Sequence, residues 1–313
     1  MKTRRIRIGT RGSKLALWQT HWVKDALIGC YPDIEIDLVT IKTKGDKITD
    51  VPLASIGGSA LFVKELEQAL MDQRIDVAVH SMKDMPSKIP DALAIGAIPE
   101  RESPWDVLIS KTGIKFSQLP SGARIGTSSL RRRAQCLHIR PDLCIESIRG
   151  NLDTRIRKLD TEPFDAILVA AAGVRRLDLQ TRITEYLPPD IMLPAVGQGA
   201  LCVEIRKADS EVAQLVATLD HPVTRTIVTA ERAFLTRLGG SCQVPMAAHA
   251  KLFGRRLIID GLVAAPDGKP IFRDSVSGLR SEAESLGALL SDRLVSMGAS
   301  EILEQIMSEA NTP

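Results

Sequence analysis

The chain has 313 residues, of which 44% are hydrophobic and 25% are charged, a composition typical of a globular protein with two or three domains. Its net charge of +3 is too small to indicate nucleic-acid binding by itself. It has neither an apolar stretch of roughly 20 residues nor the apolar segment of a signal peptide, so a cytoplasmic location and no membrane are expected. Five scattered cysteines without a C-x-x-C or H-E-x-x-H motif argue against a metal site or a disulfide framework.

Strand and helix patterns alternate through the first two thirds of the chain. They predict, in chain order, a strand at 5–10, a helix that Ser13 can cap, a strand at 34–41, a helix at 59–72, and strands at 75–80 and 92–98. The first helix is expected to turn an apolar stripe inward, made of Leu15, Trp18, Trp22, Ala26 and Leu27. After E-R-E-S-P-W-D the pattern restarts, with a strand at 124–126, a helix from about Ser129, and strands near 144–148 and 166–170. Repeated units of this kind imply α/β domains with parallel strands.

The last third predicts a smaller α+β domain. A strand at 199–206 could return to the first domain, and a long helix follows His221-Pro222. Strand-like runs at 246–252, 256–263 and 270–276 precede a helical tail. The predicted domains are residues 1–99 with 200–217, residues 100–199, and residues 218–313.

Cys242 stands in the loop-like stretch L-G-G-S-C-Q-V-P at 238–245. A structural cysteine normally lies inside an apolar run, whereas glycine and serine precede this one. Its context therefore indicates a chemical function.

Two strand-to-helix junctions carry anion-binding side chains. Arg11 and Ser13 lie in T-R-G-S-K-L-A, where a helix N-terminus favours an anion, although Ser13 could merely cap the helix. The second junction, G-T-S-S-L-R-R-R at 126–133, offers Thr127, Ser129 and three arginines. Because successive helical residues point about 100° apart, at most two of those arginines should face one site, and Arg133 is expected to face solvent.

The surrounding charge supports anion binding at the second junction. Residues 121–160 contain eight arginines and one lysine against four acidic residues, an excess of five positive charges. Arg149 and Arg155 flank a Gly150-Asn151 turn that resembles another helix entrance. A solvated basic face is the alternative, but α/β sheets bind ligands at such strand ends.

A third motif, V-A-V-H-S-M-K-D-M-P at 77–86, delivers Lys83 and Asp84 from a buried strand into a turn. A carboxylate among cations can form a salt bridge or stabilise a positively charged intermediate, and spacing alone does not choose between them. His80 is expected to be structural. The three motifs together predict a polyanionic ligand between two α/β domains, and leave covalent attachment at Cys242 open.

The motifs also resemble those of the porphobilinogen deaminase (hydroxymethylbilane synthase) family, and they occur in family order over nearly the whole chain. The stretches that carry the resemblance are T-R-G-S-K-L-A-L-W-Q, V-A-V-H-S-M-K-D-M-P, G-T-S-S-L-R-R, R-G-N-L-D-T-R, L-P-A-V-G-Q-G-A and A-E-R-A-F-L-T-R-L-G-G-S-C-Q-V-P. This resemblance implies two periplasmic-binding-protein-like (type II) α/β domains plus a small α+β C-terminal domain.

The resemblance further implies a transferase of tetrapyrrole (heme) biosynthesis. In this family a dipyrromethane cofactor, held by a cysteine thioether, primes the deamination and head-to-tail condensation of four porphobilinogen molecules, and hydrolysis releases hydroxymethylbilane. By matching position, Asp84 is the catalytic carboxylate, which stabilises the electron-poor azafulvenium-like ring. The implied cofactor-binding residues are Cys242, Lys83, Asp84, Thr127, Ser129, Arg131 and Arg132. The implied substrate-binding residues are Arg11, Ser13, Arg149, Arg155 and Arg176.

Three positions depart from the family pattern. Ser59 stands where G-G-K-G-L-F usually has lysine, Ser55 replaces another frequent lysine, and Ser241 replaces a common glycine. We expect these changes to alter lid contacts and turnover but not the reaction.

Two other functions compete with this interpretation. A non-catalytic anion receptor would exchange its ligand reversibly and would not need Cys242. A nucleic-acid binder using residues 131–133 would show strongly salt-dependent affinity, but the small net charge and 4% aromatic content count against it. The deaminase interpretation also predicts a monomer that could hand its product to uroporphyrinogen-III synthase.

Overall fold

The computed structural model describes residues 5–43, 63–239 and 244–311. Within these ranges the chain forms two five-stranded sheets and one three-stranded sheet. Cys242 lies outside the described residues. So do the three positions that depart from the family pattern, Ser55, Ser59 and Ser241.

The helices and strands follow in chain order. The first group is β1 (Arg5–Thr10), α1 (Lys14–Cys30), β2 (Glu35–Thr40), α2 (Lys64–Met71), β3 (Val77–Ser81) and β4 (Leu93–Ala97). The second group is β5 (Asp106–Ser110), β6 (Arg124–Gly126), α3 (Leu130–Ile139), β7 (Cys144–Glu146), α4 (Leu152–Thr161), β8 (Ala166–Ala170), α5 (Ala171–Arg176) and β9 (Glu185–Leu187). The last group is β10 (Leu201–Arg206), α6 (Ser210–Ala217), α7 (Pro222–Arg237), β11 (Met246–Phe253), β12 (Arg256–Ala264), β13 (Ile271–Leu279), α8 (Ala283–Leu294) and α9 (Ser300–Asn311).

The first sheet has the strand order β2-β1-β3-β10-β4. β1 pairs in parallel with both β2 and β3, so the chain leaves these strands at one edge of the sheet. β10 runs antiparallel between β3 and β4, which confirms that the strand near 199–206 returns to the first domain.

The second sheet has the order β7-β6-β8-β5-β9. β6 pairs in parallel with β7 and β8, while β5 runs antiparallel to β8 and β9. The strands β5 and β9 were absent from the sequence-based prediction. They adjoin the two segments that connect the α/β domains, residues 98–105 and 188–200, which we call the crossings. Asp106, the first residue of β5, is fully buried.

The third sheet, β11-β12-β13, is antiparallel and packs against helices α7 and α8. Its core includes Phe234, Ile259 and Leu290, all fully buried. The predicted α+β character of the C-terminal part is confirmed. The proposed residue boundaries of the three domains stay a prediction.

One part of the prediction for α1 was wrong. The helix buries Gln19, Thr20, Val23 and Leu27, whereas Trp18 and Trp22 are 36% and 38% exposed. The Trp18 ring lies beside the second α/β domain, where the Arg176 guanidinium carbon is 5.7 Å from the ring centroid. An indole can therefore serve as a cation platform at a domain boundary instead of filling the core.

The two crossing segments contact each other closely. Gly199 has a φ of +90°, and a Cβ built there would lie 2.3 Å from the Glu102 carbonyl oxygen. The Glu102 backbone N–H in turn donates to the Gly199 carbonyl at 3.3 Å. Glycine is needed at this position because a side chain has no space there.

A buried ion pair joins the crossings to the third domain. Glu231 of α7 accepts from Arg101 Nη1 at 2.7 Å, from the Gly197 N–H at 2.7 Å and from the Ala250 N–H at 2.9 Å. One carboxylate thus ties α7 to both crossings and to β11. In the described part of the chain, the helices are all too short or too polar to cross a membrane.

Candidate active site

The turn at Met82–Asp84 is held from below by buried methionines. β3 is buried up to His80, and the Met82 and Met85 side chains are each 1% exposed. The Met82 N–H donates to the Ala200 carbonyl at 2.9 Å, which ties the turn to the crossing before β10. Lys83 and Asp84 are thereby left half-buried on the turn. Ser81, just before them, accepts a hydrogen bond from Gln19 Nε2 at 2.9 Å.

Hydroxyl groups shape the start of helix α3. Ser129 is its N-cap, and the Ser129 Oγ accepts from the Arg132 N–H at 3.4 Å. The Thr127 Oγ1 accepts from the Ser129 N–H at 3.3 Å, and Thr127 is buried. The predicted strand-to-helix junction is confirmed, and its hydroxyls lie at the positive end of the helix dipole.

Arg131 and Arg132 converge on one carboxylate, Asp106. Arg131 donates from Nη1 at 2.8 Å and from Nη2 at 3.1 Å, and Arg132 donates from Nε at 2.8 Å. Arg132 Nη2 lies 2.7 Å from the same Asp106 oxygen. Both arginines are 5% exposed, whereas Arg133 is exposed, as the helical geometry predicted.

The charges at this place alter each other's ionisation. Burial raises the pKa of Asp106, but Arg131 and Arg132 outweigh it and hold the value at about 2. Burial and, after it, the neighbouring Arg132 lower the pKa of Lys83 to about 8, against the opposing influence of Asp84 and Asp106. The pKa of Lys83 therefore lies only a little above neutral pH, so a modest rise in pH removes its charge.

Arg155 belongs to the same group of charges. Its Nε donates to the Gly150 carbonyl at 2.7 Å, at the turn where the glycine φ is +112°. Burial, followed by Arg132 and Arg149, lowers the pKa of Arg155 to about 10 against the opposing effect of Asp84. Residues of both α/β domains therefore lie close enough to affect each other's pKa. We call Lys83, Asp84, Arg132, Arg149 and Arg155 the cationic cluster.

Arg176 occupies the adjoining domain boundary. Its Nη2 donates to the Gly199 carbonyl at 2.8 Å, and its guanidinium lies over the Trp18 ring. Burial lowers its pKa to about 10, which Glu102 opposes. The contacts of Arg176 are thus with α1 and with the crossing.

Arg11 and Ser13 follow β1 at the same edge of the first sheet as the Lys83–Asp84 turn, because β1 and β3 are parallel neighbours. The Ser13 Oγ accepts from the Ala16 N–H at 3.3 Å, so Ser13 caps α1. Arg11 is half-buried there. The capping contact does not test whether Ser13 also binds substrate.

His80 has a buried partner behind the turn. Its Nε2 lies 2.9 Å from Glu204 Oε2, and both side chains are almost inaccessible to solvent. This is the environment expected of a structural histidine. Glu67 is buried nearby, where burial and then Glu204 raise its pKa to about 7, against the influence of His80 and Lys64. Across residues 5–43, 63–239 and 244–311, clusters of three or more histidine, cysteine or acidic residues suited to a metal ion are absent.

Helix α7, which precedes Cys242 in sequence, contacts the segment after Asp84. Arg232 Nη2 donates to the carbonyls of Pro86 and Ser87 at 2.9 and 3.2 Å, and the Thr236 hydroxyl donates to the Ser87 carbonyl at 3.4 Å. Helix α7 ends at Arg237, five residues before Cys242, and residues 86–87 are two and three residues after Asp84. The helix that precedes the cysteine therefore packs against the segment just after the turn that carries the candidate catalytic carboxylate.

The donor set fits a group that bears several carboxylates. The cations are the buried Arg131 and Arg132 and the half-buried Arg155 and Lys83, and the hydroxyls are those of Thr127 and Ser129. Guanidinium groups are well suited to bind carboxylates. Sequence reasoning missed Asp106 and the contact of Gln19 with Ser81. Gln19 does lie within a family motif, whereas Asp106 follows a Pro-Trp pair without any motif of its own.

Solved structures with a distant likeness to the chain include periplasmic binding proteins. An arginine-specific one from Salmonella typhimurium gives a TM-score of 0.42 at 14% identity, over 71% of this chain and 94% of that one. The aliphatic sulphonate binding protein SsuA from Escherichia coli gives 0.41 at 14% identity, over 75% and 70%.

Curated relatives match at much higher identity. The porphobilinogen deaminase of Pelobacter propionicus is 52% identical over 306 residues, covering 98% of both chains. That of Geobacter metallireducens is 51% identical over 306 residues, covering 98% of this chain and 96% of its own. Two family models also match, the "Porphobilinogen deaminase, dipyromethane cofactor binding domain" at residues 6–214 and the "Porphobilinogen deaminase, C-terminal domain" at residues 225–296. The chain belongs to the porphobilinogen deaminase family.

Proposed function

We propose that the chain carries out the reaction of its family at the cationic cluster. It is a transferase that deaminates porphobilinogen and joins four molecules head to tail on a dipyrromethane primer, releasing ammonia and hydroxymethylbilane for tetrapyrrole (heme) biosynthesis. The observation that carries the proposal is the half-buried Asp84, which shares one site with Lys83, Arg132 and Arg155 between two α/β domains.

The cations recognise the carboxylates of the pyrroles. Each porphobilinogen ring bears an acetate and a propionate, so the bound chain gains negative charge with every addition. Lys83, Arg131 and Arg132 bind carboxylates of the cofactor, together with the hydroxyls of Thr127 and Ser129. Because these groups are already largely desolvated, they bind anions more strongly than exposed side chains would.

Asp84 performs the chemistry at the reacting ring. Its carboxylate accepts hydrogen bonds from pyrrole N–H groups and stabilises the positive charge that develops when ammonia leaves. It also accepts and returns a proton during the step. The charge of Asp84 in turn favours the charged forms of Lys83 and Arg155.

Cys242 holds the cofactor through a thioether. When bound, the cofactor supplies the free pyrrole carbon to which the next ring is joined. The contacts of Arg232 and Thr236 with residues 86–87 support this assignment, because they place the end of α7, which precedes Cys242 by five residues in sequence, beside the segment that follows Asp84.

Incoming substrate and the growing chain are bound by a second group of residues, namely Arg11, Ser13, Arg149, Arg155 and Arg176. Arg11 and Ser13 lie on the first α/β domain and the others on the second. This distribution lets both walls of the cleft hold the carboxylates of successive rings.

The test is a turnover assay with purified protein and porphobilinogen, in which hydroxymethylbilane and ammonia are measured together. Cys242→Ser should abolish turnover, because oxygen replaces the thioether sulfur. Cys30→Ser, at the exposed end of α1, is the matched control and should keep wild-type turnover. Full turnover in Cys242→Ser would contradict the proposal, and reversible porphobilinogen binding without ammonia release would favour an anion receptor.

Three further expectations accompany the proposed reaction. We infer action in the cytoplasm as a monomer, with hand-over of hydroxymethylbilane to uroporphyrinogen-III synthase. Size measurements in solution and co-sedimentation with that enzyme would test the last two.

A further inference from the structure

Asp106 is a buried anion at the centre of the cofactor-binding cations. Its two oxygens receive four contacts from Arg131 and Arg132 between 2.7 and 3.1 Å. The remaining donors of the pair are also used in part. Arg131 Nη1 donates to the Leu193 carbonyl at 2.7 Å, and Arg132 Nη1 donates to the Leu168 carbonyl at 2.9 Å.

These contacts fix both guanidinium planes before any ligand arrives. An arginine side chain otherwise loses rotamer entropy when a ligand orders it. With Asp106 in place, that cost belongs to folding and not to ligand binding.

Asp106 also sets the balance of charge around Lys83. Four charged groups act on the lysine: Arg132 and Arg131 of α3 disfavour its charged form, and Asp84 and Asp106 favour it. Asp106 itself is faced by Arg131, Arg132 and Lys83, and by the Cys136 thiol, whose burial raises its pKa to about 12 and so keeps it neutral. Asp84 contacts substrate in the proposed reaction, whereas Asp106 is paired with Arg131 and Arg132 inside the protein.

We propose that Asp106 is a positioning residue that orients Arg131 and Arg132 toward the cofactor's carboxylates. As a buried anion it also favours the charged form of Lys83. This inference rests on the proposed function for the identity of the ligand. Its electrostatic part concerns the protein alone and can be tested without any ligand.

The first experiment measures the titration of Lys83 in the chain without cofactor. Lysines are labelled by reductive ¹³C-methylation, and the Lys83 resonance is assigned by its loss in Lys83→Arg. Lys83 should titrate near pH 8 in the wild type. In Asp106→Asn the midpoint should fall by about one pH unit, because a carboxylate that favours the charged lysine is lost.

The matched control is Glu146→Gln. It removes a carboxylate that Arg124 binds through two nitrogens at 2.7 and 2.8 Å, in the same sheet but outside the cationic cluster. It should leave the Lys83 midpoint unchanged. An unchanged midpoint in folded Asp106→Asn would overturn the proposal.

The second experiment follows loading, as the rate at which intact mass increases when cofactor-free protein meets porphobilinogen at different pH values. Loading by the wild type should decline above about pH 8, and loading by Asp106→Asn should be at least about tenfold slower and decline at lower pH. Asp106→Glu, which keeps the charge, should restore the pH of the decline more than the rate. Lys83→Arg should remove the decline, since arginine stays charged.

The second experiment remains decisive if Asp106→Asn fails to fold. A decline above pH 8 that persists in Lys83→Arg would overturn the role given to Lys83 and Asp106. Failure of the wild type to gain mass would instead contradict the proposed function, and the Lys83 titration would still decide the electrostatic claim.

Discussion

At the scale of single residues, Asp84 is the group on which catalysis should depend most. Asp84→Ala keeps the turn, because Met82 and Met85 anchor it, but removes the carboxylate that stabilises positive charge. We expect turnover to fall about 10²- to 10⁴-fold with little change in stability. Steady-state kinetics on protein that already carries cofactor would measure this fall. Asp91→Ala, an exposed carboxylate seven residues later, is the control, and an equal loss in both variants would contradict the assignment.

Glu67 gives a residue-scale prediction about pH and stability. Its pKa is about 7 in the folded chain against about 4.5 when exposed, so the folded state holds more protons between those values. Stability therefore falls as the pH rises from 4.5 through 7. The glutamine side chain of the Glu67→Gln variant cannot ionise, so the variant escapes this loss of stability. The difference in free energy of unfolding, variant minus wild type, should therefore be about 2 kcal/mol larger at pH 8 than at pH 5. Urea unfolding at both pH values measures the difference, and a gap that does not change with pH would contradict it.

Residue types and motif order named the members of the cationic cluster, whose roles stay a prediction, but the buried partner of Arg131 and Arg132 could not be predicted. The helical repeat was enough to separate Arg133, which is exposed, from Arg131 and Arg132. Asp106 is 25 residues upstream of Arg131 and meets it only because β5 lies near α3 in the folded domain. A contact that depends on sheet order leaves no periodic signal in the sequence.

At the scale of elements, the crossing between the α/β domains depends on the absence of a side chain at Gly199. Gly199→Ala places a methyl group 2.3 Å from the Glu102 carbonyl oxygen at a φ of +90°. Gly122→Ala has a similar φ of +78° but open space around the new methyl group, so it isolates the backbone cost of about 1 kcal/mol. We expect Gly199→Ala to cost about 2–3 kcal/mol more than Gly122→Ala in thermal or urea unfolding. Equal costs would show that the crossing can separate.

Elements with clear periodicity were predicted closely, and those defined by their neighbours were not. The predicted strands at 5–10, 124–126 and 166–170 match β1, β6 and β8. β5 and β9 pair with strands distant in sequence, and β9 has three residues, too few to show alternation. The inward stripe of α1 was wrong at Trp18 and Trp22, because apolar character alone does not distinguish a core from a domain boundary.

At the scale of the whole molecule, Glu231 connects parts of the chain that the local pattern treats separately. Glu231→Gln leaves the Arg101 side chain, which is 9% exposed, without its counter-charge. Breaking such a buried pair should lower the free energy of unfolding by about 3–5 kcal/mol. Glu146→Gln, which breaks a partly exposed pair, should cost at most about 1 kcal/mol. Urea unfolding of the two variants side by side provides the measurement, and similar costs would contradict a joining role for Glu231.

The general architecture of the molecule follows from the alternation of patterns, but the joints between its parts do not. The return of β10 to the first sheet was predicted from a single strand-like run. The four hydrogen bonds that Glu231 accepts and the approach of Arg232 to residues 86–87 arise from packing of α7 against distant segments. These joints fix the end of α7 against the segment that follows Asp84.

The most direct test of the central claim is the intact mass of the protein after incubation with porphobilinogen, followed by peptide mapping around Cys242. The account predicts added mass equal to two linked pyrrole units, located on the peptide that contains Cys242 and absent in Cys242→Ser. An unmodified Cys242 in folded protein, or pyrrole units attached to another residue, would contradict it.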